Sequence, residues 1–191
     1  ILDLYKEYKR LGKSRREYLE AVAGIEGIYV PAFYDVEYNE DGTIKRFKKN
    51  LASAPDRIKK QVAMDLNDSH HPTRPLVPLI KITQDRVVLE IQRGCIRGCR
   101  FCQAGMIYRP NRERDLEYLK KCAYEMLEST GHEEISLSSL SSSDYSKLKE
   151  LVYFLIDEFG SRGVNISLPS LRIDAFSLDV MGKVQDVRKS S

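Results

Sequence analysis

Apolar residues recur along this chain with two different periods. In ILDLYKEYKRL, at the start, they fall at helical spacing, and Gly12 closes the run. Ser14 and Glu17 then form an S-x-x-E capping box, opening a second helix that carries Tyr18, Leu19 and Val22. At Tyr34, Val36 and Tyr38 the period drops to two. An Asp41-Gly42 turn follows and Ile44 resumes the alternation, which predicts a β-hairpin. A basic amphipathic segment over 55–64 leads into SHHPTRPLVPL, where Pro72, Pro75 and Pro78 predict an extended connector.

From Arg86 the rhythm changes. RVVLEIQ is short, apolar and β-branched, as a strand buried in a parallel sheet should be. Asp115 to Glu128 reads as a helix with Leu116, Leu119, Ala123, Met126 and Leu127 on one face. EEISLSS predicts a second strand, Asp144 to Phe159 a second helix ended by Gly160, VNISL a third strand, and Leu178 to Lys189 a third helix. Strand and helix alternate three times, which predicts an α/β fold: a partial parallel (βα) barrel of about three βα units after a helical and hairpin lead-in. The expected domains are residues 1–80, lead-in and connector, and residues 81–191, the βα part. In such folds ligands gather at the C-terminal ends of the strands.

Composition narrows the class without deciding it. A chain of 191 residues can bury a real core, and 42% hydrophobic with 31% charged residues is the balance of a soluble globular protein. LVYFLI and its like fall far short of the roughly 20 apolar residues a membrane span needs, so no membrane partner is expected. The chain begins at Ile1, without a leader, and ends on VRKSS; it is expected to be a segment of a longer, cytoplasmic protein. A net charge of +3 argues neither for nor against nucleic acid. YRPNRER is expected to be a solvated loop, His70 and His71 part of a solvated connector, and the hairpin tyrosines half-buried sheet residues. Cys122, on a helix, is expected in the core. The serine-rich stretch from Ser136 to Ser146 is expected to cap the helix that follows.

The chemistry concentrates in EIQRGCIRGCRFCQAG, where Cys95, Cys99 and Cys102 follow the first strand of the βα part. Gly94 and Gly98 are expected to let the backbone wrap closely around a bound object. Three clustered thiols point to a metal or redox site in a reducing compartment rather than to disulfides. A structural zinc ion wants four ligands. Cys99 and Cys102 make one pair, whereas Cys122, His70, His71 and His132 make no matching second pair. Tight cysteine runs also hold iron–sulfur clusters, and a cubane on three thiolates leaves one iron open for chemistry. A zinc-binding or dithiol redox module stays open as the non-catalytic alternative.

The C-x-x-x-C-x-x-C spacing, with aromatic Phe101 before the last cysteine, resembles that of the radical S-adenosylmethionine (radical SAM) enzymes. The resemblance implies a [4Fe–4S] cluster on Cys95, Cys99 and Cys102. It also implies S-adenosylmethionine on the open iron, an electron donor such as flavodoxin or ferredoxin, and reductive cleavage to a 5′-deoxyadenosyl radical. Phe101 would pack near the adenine. Ser138, Ser139 and Leu140 stand where the superfamily has a Gly-Gly-Glu-like segment facing the methionine amino group, and Arg172 becomes a candidate for the methionine carboxylate, unless it pairs Asp174 instead. DRVVLEIQRGCIRGCRFCQAGMIYRPNRERD, with GIYVPAFYDVEYNEDGTIK, is similar to the cobalamin-binding-type radical SAM proteins of uncharacterised substrate. In those a cobalamin domain precedes the segment, so cobalamin would belong to the parent protein only. YRPNRERD and EISLSSLSSSDYS resemble segments of the tRNA methylthiotransferases, which brings in a nucleic-acid or ribosome-related substrate. The superfamily barrel usually has six βα units. With three read here, the chain is not expected to complete its native reaction alone, and the exposed barrel edge is expected to favour a homo-oligomer.

Overall fold

The computed structural model describes residues 1–172, 180 and 182–184. The chain divides into two compact units, Ile1–Val62 and Ala63–Ser191. This division comes before residue 80 because the connector is bound into the second unit. Leu66 is fully buried and its carbonyl accepts from Arg114. The Asp115 N–H donates to Asn67 Oδ1 at 3.0 Å, and Ser129 Oγ donates to the Thr73 carbonyl at 2.9 Å.

In the first unit, helices α1 (Leu2–Arg10) and α2 (Arg15–Ala23) form as their spacing predicts. The capping box closes in both directions. The Glu17 N–H donates to Ser14 Oγ at 3.3 Å, and the Ser14 N–H donates to the Glu17 carboxylate at 2.9 Å. Strands β1 (Tyr34–Tyr38) and β2 (Ile44–Lys49) pair antiparallel across the turn at Gly42, whose φ of +80° suits glycine. Tyr34 is buried and stacks on Phe47 at 5.0 Å, while Tyr38 is exposed, so the hairpin tyrosines divide between core and solvent. The basic segment 55–64 forms no helix. Its start is held by the Tyr34 hydroxyl donating to the Pro55 carbonyl at 2.8 Å.

The second unit contains β3 (Val87–Glu90), β4 (Gln92–Arg93), α3 (Ala104–Ile107), β5 (Arg112–Glu113), α4 (Leu116–Thr130), β6 (Glu134–Ser138), α5 (Leu148–Phe159) and β7 (Asn165–Ser167). Strands β3, β6 and β7 make a parallel sheet in the order β3-β6-β7. Register explains its two faces. Val87 and Leu89 sit opposite Ile135 and Leu137, and Ile135 sits opposite Ile166, so one face is apolar. It packs with Leu119, Ala123, Met126, Leu127, Leu151, Leu155 and Phe159 of α4 and α5. The other face carries Glu90, Ser136, Ser138 and Ser167. The expectation of a first strand buried on both faces is therefore corrected. Val88 is 43% exposed, on the face that α4 and α5 do not cover. Cys122 is in the core, as expected, and its burial pushes the thiol's pKa up.

The second helix starts later than Asp144. Residues 142–144 form a 3-10 turn, and Tyr145 is extended (φ −71°, ψ 124°). The groups there have partners elsewhere: the buried Tyr145 hydroxyl donates to the Arg114 carbonyl at 2.9 Å, and the Ser146 N–H donates to Glu113 at 3.1 Å. Gly160 is the C-cap of α5, as expected. It stays right-handed, and the chain reverses at Gly163, φ +77°. Of the expected third helix, residues 180 and 182–184 are helical and the rest lies outside the described residues. Among the described residues no helix is long and apolar enough to cross a membrane.

Candidate functional site

At the end of β3 the chain leaves the sheet. The Ile91 N–H still donates to the Ser138 carbonyl at 3.0 Å, but Gln92 and Arg93 pair instead with Glu113 and Arg112 of β5. That short antiparallel pair, absent from the sequence expectation, closes residues 94–111 into a loop with a fixed neck. The loop holds Cys95, Cys99 and Cys102, all half-buried free thiols. A turn donates the Cys102 N–H to the Cys99 carbonyl at 3.0 Å, and the Arg97 N–H donates to Cys95 Sγ at 3.4 Å.

Glycines permit this winding, though not the pair expected. Gly94 has φ +94°, and a Cβ there would lie 2.6 Å from both the Tyr108 and Pro110 carbonyl oxygens. Gly98 has no such constraint: its nearest neighbour would be an Arg109 side-chain nitrogen at 3.9 Å. Gly105 takes its place, since a Cβ there would stand 2.7 Å from the Arg97 carbonyl oxygen. The close approach falls where α3 crosses the cysteine loop, a long-range packing event that spacing does not reveal.

A buried charge supports the neck. Arg114, from the stretch expected as a solvated loop, is 1% exposed. It donates to the Leu66 carbonyl and, at 3.0 Å, to Glu90, and it lies over the Tyr118 ring at 5.3 Å. Glu90 also accepts from Arg93 at 2.7 Å. Burial raises the Glu90 pKa, but the two arginines outweigh it and hold the carboxyl below its ordinary value. His71 is half-buried rather than solvated; burial first, then the charge of Arg114, lowers its pKa.

Against expectation, the serine-rich stretch after β6 does not cap the helix that follows: the N-cap of α5 is Lys147, without a side-chain cap bond, because the serines have other partners. The buried Gln92 side chain donates to the Ser141 carbonyl at 2.6 Å. The Ser142 N–H donates to the Ser170 carbonyl at 3.1 Å. Ser143 Oγ accepts the Arg172 N–H at 2.9 Å. Asp144 accepts from Ser141 Oγ at 2.8 Å and from the Arg97 guanidinium through Nε at 3.0 Å and Nη2 at 2.5 Å. The Arg97 hydrogen bonds hold the Asp144 pKa below its ordinary value against the opposing effect of burial. Residues 141–144 thus bracket the ends of three chain segments. The sequence signal available was a polar run ending in an acid at a strand's C-terminal end, where ligands gather in parallel folds.

Beside this bracket lies a cleft of about 410 Å³, whose walls include Glu90, Gly94, Tyr108, Arg112 and the expected segment Ser138, Ser139 and Leu140. Gly94 joins it to the cysteine loop. Arg172 is half-buried, with Nη1 4.0 Å from Cys99 Sγ; Asp174, its alternative partner, lies outside the described residues. Phe101 is 93% exposed, so it does not serve the core of this unit.

Among the described residues no three His, Cys, Asp or Glu side chains converge as a single metal ion requires. Zn–S bonds of about 2.3 Å would bring the thiolates nearly into contact, whereas a cluster presents its ligand positions farther apart. The donor set fits a cluster: three thiols on one loop, two of them with N–H groups directed at sulfur, the contact by which proteins tune such centres.

The parallel β3-β6-β7 sheet is consistent with a partial radical SAM βα fold, and the family model described as the radical SAM superfamily matches residues 89–188, over half of the chain. The chain belongs to that superfamily. Membership implies in general a [4Fe–4S] cluster, S-adenosylmethionine and a reductant. The chain is similar to Uncharacterized protein MJ0966 of Methanocaldococcus jannaschii, 43% identical over 94 residues. That match covers 49% of this chain and 20% of the relative, so it spans about a fifth of the longer protein.

Proposed function

We propose that this chain is the cluster-bearing part of a radical SAM enzyme, in which Cys95, Cys99 and Cys102 hold a [4Fe–4S] cluster. The observation that carries the reading is the loop 94–111, closed at its neck by β4 and β5 and set at the C-terminal end of β3 beside the cleft. When bound, the cluster supplies the electron that cleaves S-adenosylmethionine reductively. The chain's own groups do the holding and orienting. The Arg97 N–H and the Arg172 guanidinium direct donors at Cys95 and Cys99. Ser138, Ser139 and Leu140 form the cleft wall that would meet the methionine end of the cofactor. Phe101, an exposed aromatic outside the core of this unit, is assigned to the adenine, and Arg172 to the methionine carboxylate.

An electron donor such as flavodoxin or ferredoxin completes the reaction, and four free thiols suit a reducing, cytoplasmic setting. Among the described residues β7 is paired on one side only, which supports self-association through that edge. No residue of this chain is assigned to cobalamin or to a nucleic-acid substrate. The test is anaerobic reconstitution with iron and sulfide, followed by electron paramagnetic resonance of the reduced protein with and without S-adenosylmethionine. A cluster signal that responds to the cofactor and disappears in Cys95→Ser is expected. Stoichiometric zinc, unaffected by losing Cys95, would overturn the reading in favour of a zinc module.

A further inference from the structure

We propose that Asp144 is the positioning residue of the cysteine loop, its carboxylate holding the Arg97 guanidinium while the adjoining Ser143 holds the Arg172 backbone, so that donors stay directed at Cys95 and Cys99. The proposal rests on the cluster reading above for its chemical purpose, but its geometry stands on the chain alone. Asp144 is 5% exposed and grips Arg97 in a forked, two-point pair, the geometry in which a guanidinium is most firmly oriented. Arg97 is fixed along its backbone as well. Its N–H donates to Cys95 Sγ, its carbonyl accepts from Arg109 at 3.4 Å, and Gly105 passes against the same carbonyl. Orienting the Arg97 side chain therefore orients the backbone between Cys95 and Cys99.

The second arm runs through Arg172. Its N–H is bound to Ser143, next to Asp144. Its charge acts on the Asp144 carboxylate, and its Nη1 reaches Cys99 Sγ at 4.0 Å. Two adjoining residues thus fix both sulfur-directed donors, Asp144 through the Arg97 guanidinium and Ser143 through the Arg172 backbone. Removing the charge of Asp144 while keeping its shape should free the loop without opening the core, because Asp144 lies outside the apolar layer of α4 and α5. Outer-shell partners of this kind typically matter by about 10–100-fold in metal affinity when lost.

The experiment compares wild type with Asp144→Asn, Arg97→Gln and the double variant, all as the full chain. Alkylation of the metal-free protein by iodoacetamide is followed separately at each cysteine. Cys95 and Cys99 should react severalfold faster in either single variant and no faster in the double one, because the two residues act as one unit. Cys122, 3% exposed in the core, should stay protected in all of them. After reconstitution, Asp144→Asn should release iron to a chelator about 10–100-fold more readily, and its cluster should show a displaced midpoint potential, which a general loss of stability would not produce. Unchanged rates at Cys95 and Cys99, a parallel rise at Cys122, or additive single effects would each overturn the proposal. A wild-type chain that takes up no cluster would defeat the cluster reading instead, and the alkylation pattern would still decide the role of Asp144.

Discussion

Two clefts of similar size open at opposite ends of the same three parallel strands. One, of about 480 Å³, lies at the N-terminal ends and is walled by Lys81, Arg86, His132 and Glu134 among others. The other, of about 410 Å³, lies at the C-terminal ends beside the cysteine loop. Size alone does not tell them apart, although the first is the more polar of the two. The charges at the first end are partly exposed: Arg86 meets Glu134 at 2.6 Å and His132 meets Asp85 at 3.4 Å, with water reaching each pair. At the second end, charge is buried behind the cleft in Arg114 and Asp144, and backbone oxygens crowd the space beside Gly94 and Gly105, whereas the space beside Gly131 at the first end is open. Buried charge and constrained backbone cost stability, and they collect where a chain must hold an exact geometry. That cost marks the C-terminal end of the sheet as the candidate site, independently of the cysteines.

The sharpest way to break the comparison is to disable each end in turn. Cys99→Ser should abolish iron–sulfur loading, whereas His132→Ala should leave it at the wild-type level, as read by iron content and the reduced-state spectrum. If His132→Ala also lost the cluster, the two ends would not be separable. Next in size, Arg114→Ala should lower stability by about 3 kcal/mol, the low end of what breaking a buried pair costs, because Glu90 keeps Arg93. Arg86→Ala, in a part-exposed pair, should lower it by about 1 kcal/mol at most. Denaturant melts of the two variants measure the contrast. A smaller contrast is expected between two glycines of positive φ. Gly131→Ala, with open space around it, should cost about 1–2 kcal/mol for the backbone alone. Gly94→Ala should cost more and distort the loop, since backbone oxygens stand where its Cβ would go.

The smallest effect is in pH. Asp144 has a folded pKa below its ordinary 3.8, so the stability it contributes is present above that value and is lost as pH falls through the lower, folded one. Acid should therefore loosen loop 94–111 in wild type, and Asp144→Asn should lack that acid step. Glu17, held down to about 2 chiefly by Lys13 and then by the Ser14 capping box, titrates in the same window. Amide exchange must for that reason be read on loop peptides, not on the whole protein.

Elements with a strong local signal were legible in advance. The capping box at Ser14, the Gly42 turn, the apolar face of α4 and the alternation of strand and helix each depend on residues within a turn or two of one another. The three thiols stood out for the same reason, because their spacing is local. What stayed hidden was set by distant partners. Arg114 looked like part of a solvated basic loop, yet it is buried because Leu66 and Glu90 converge on it from elsewhere in the chain. Asp144 looked like a helix start, yet Arg97 claims its carboxylate and the helix begins at Leu148. The pairing of β4 with β5, and the choice of Gly105 over Gly98 as the close approach, likewise exist only once the loop has folded back on itself.

Local pattern alone, then, was enough to place the strands of the parallel sheet, the hairpin and the bodies of the main helices, and to show which thiols stand together, since periodicity, caps and spacing act over a few residues. Only the tertiary structure decided which face of the sheet is covered, which charges are buried, and how the cysteine loop is clamped. Those depend on backbone and side chains brought together from positions far apart in the chain, and no local pattern records that meeting.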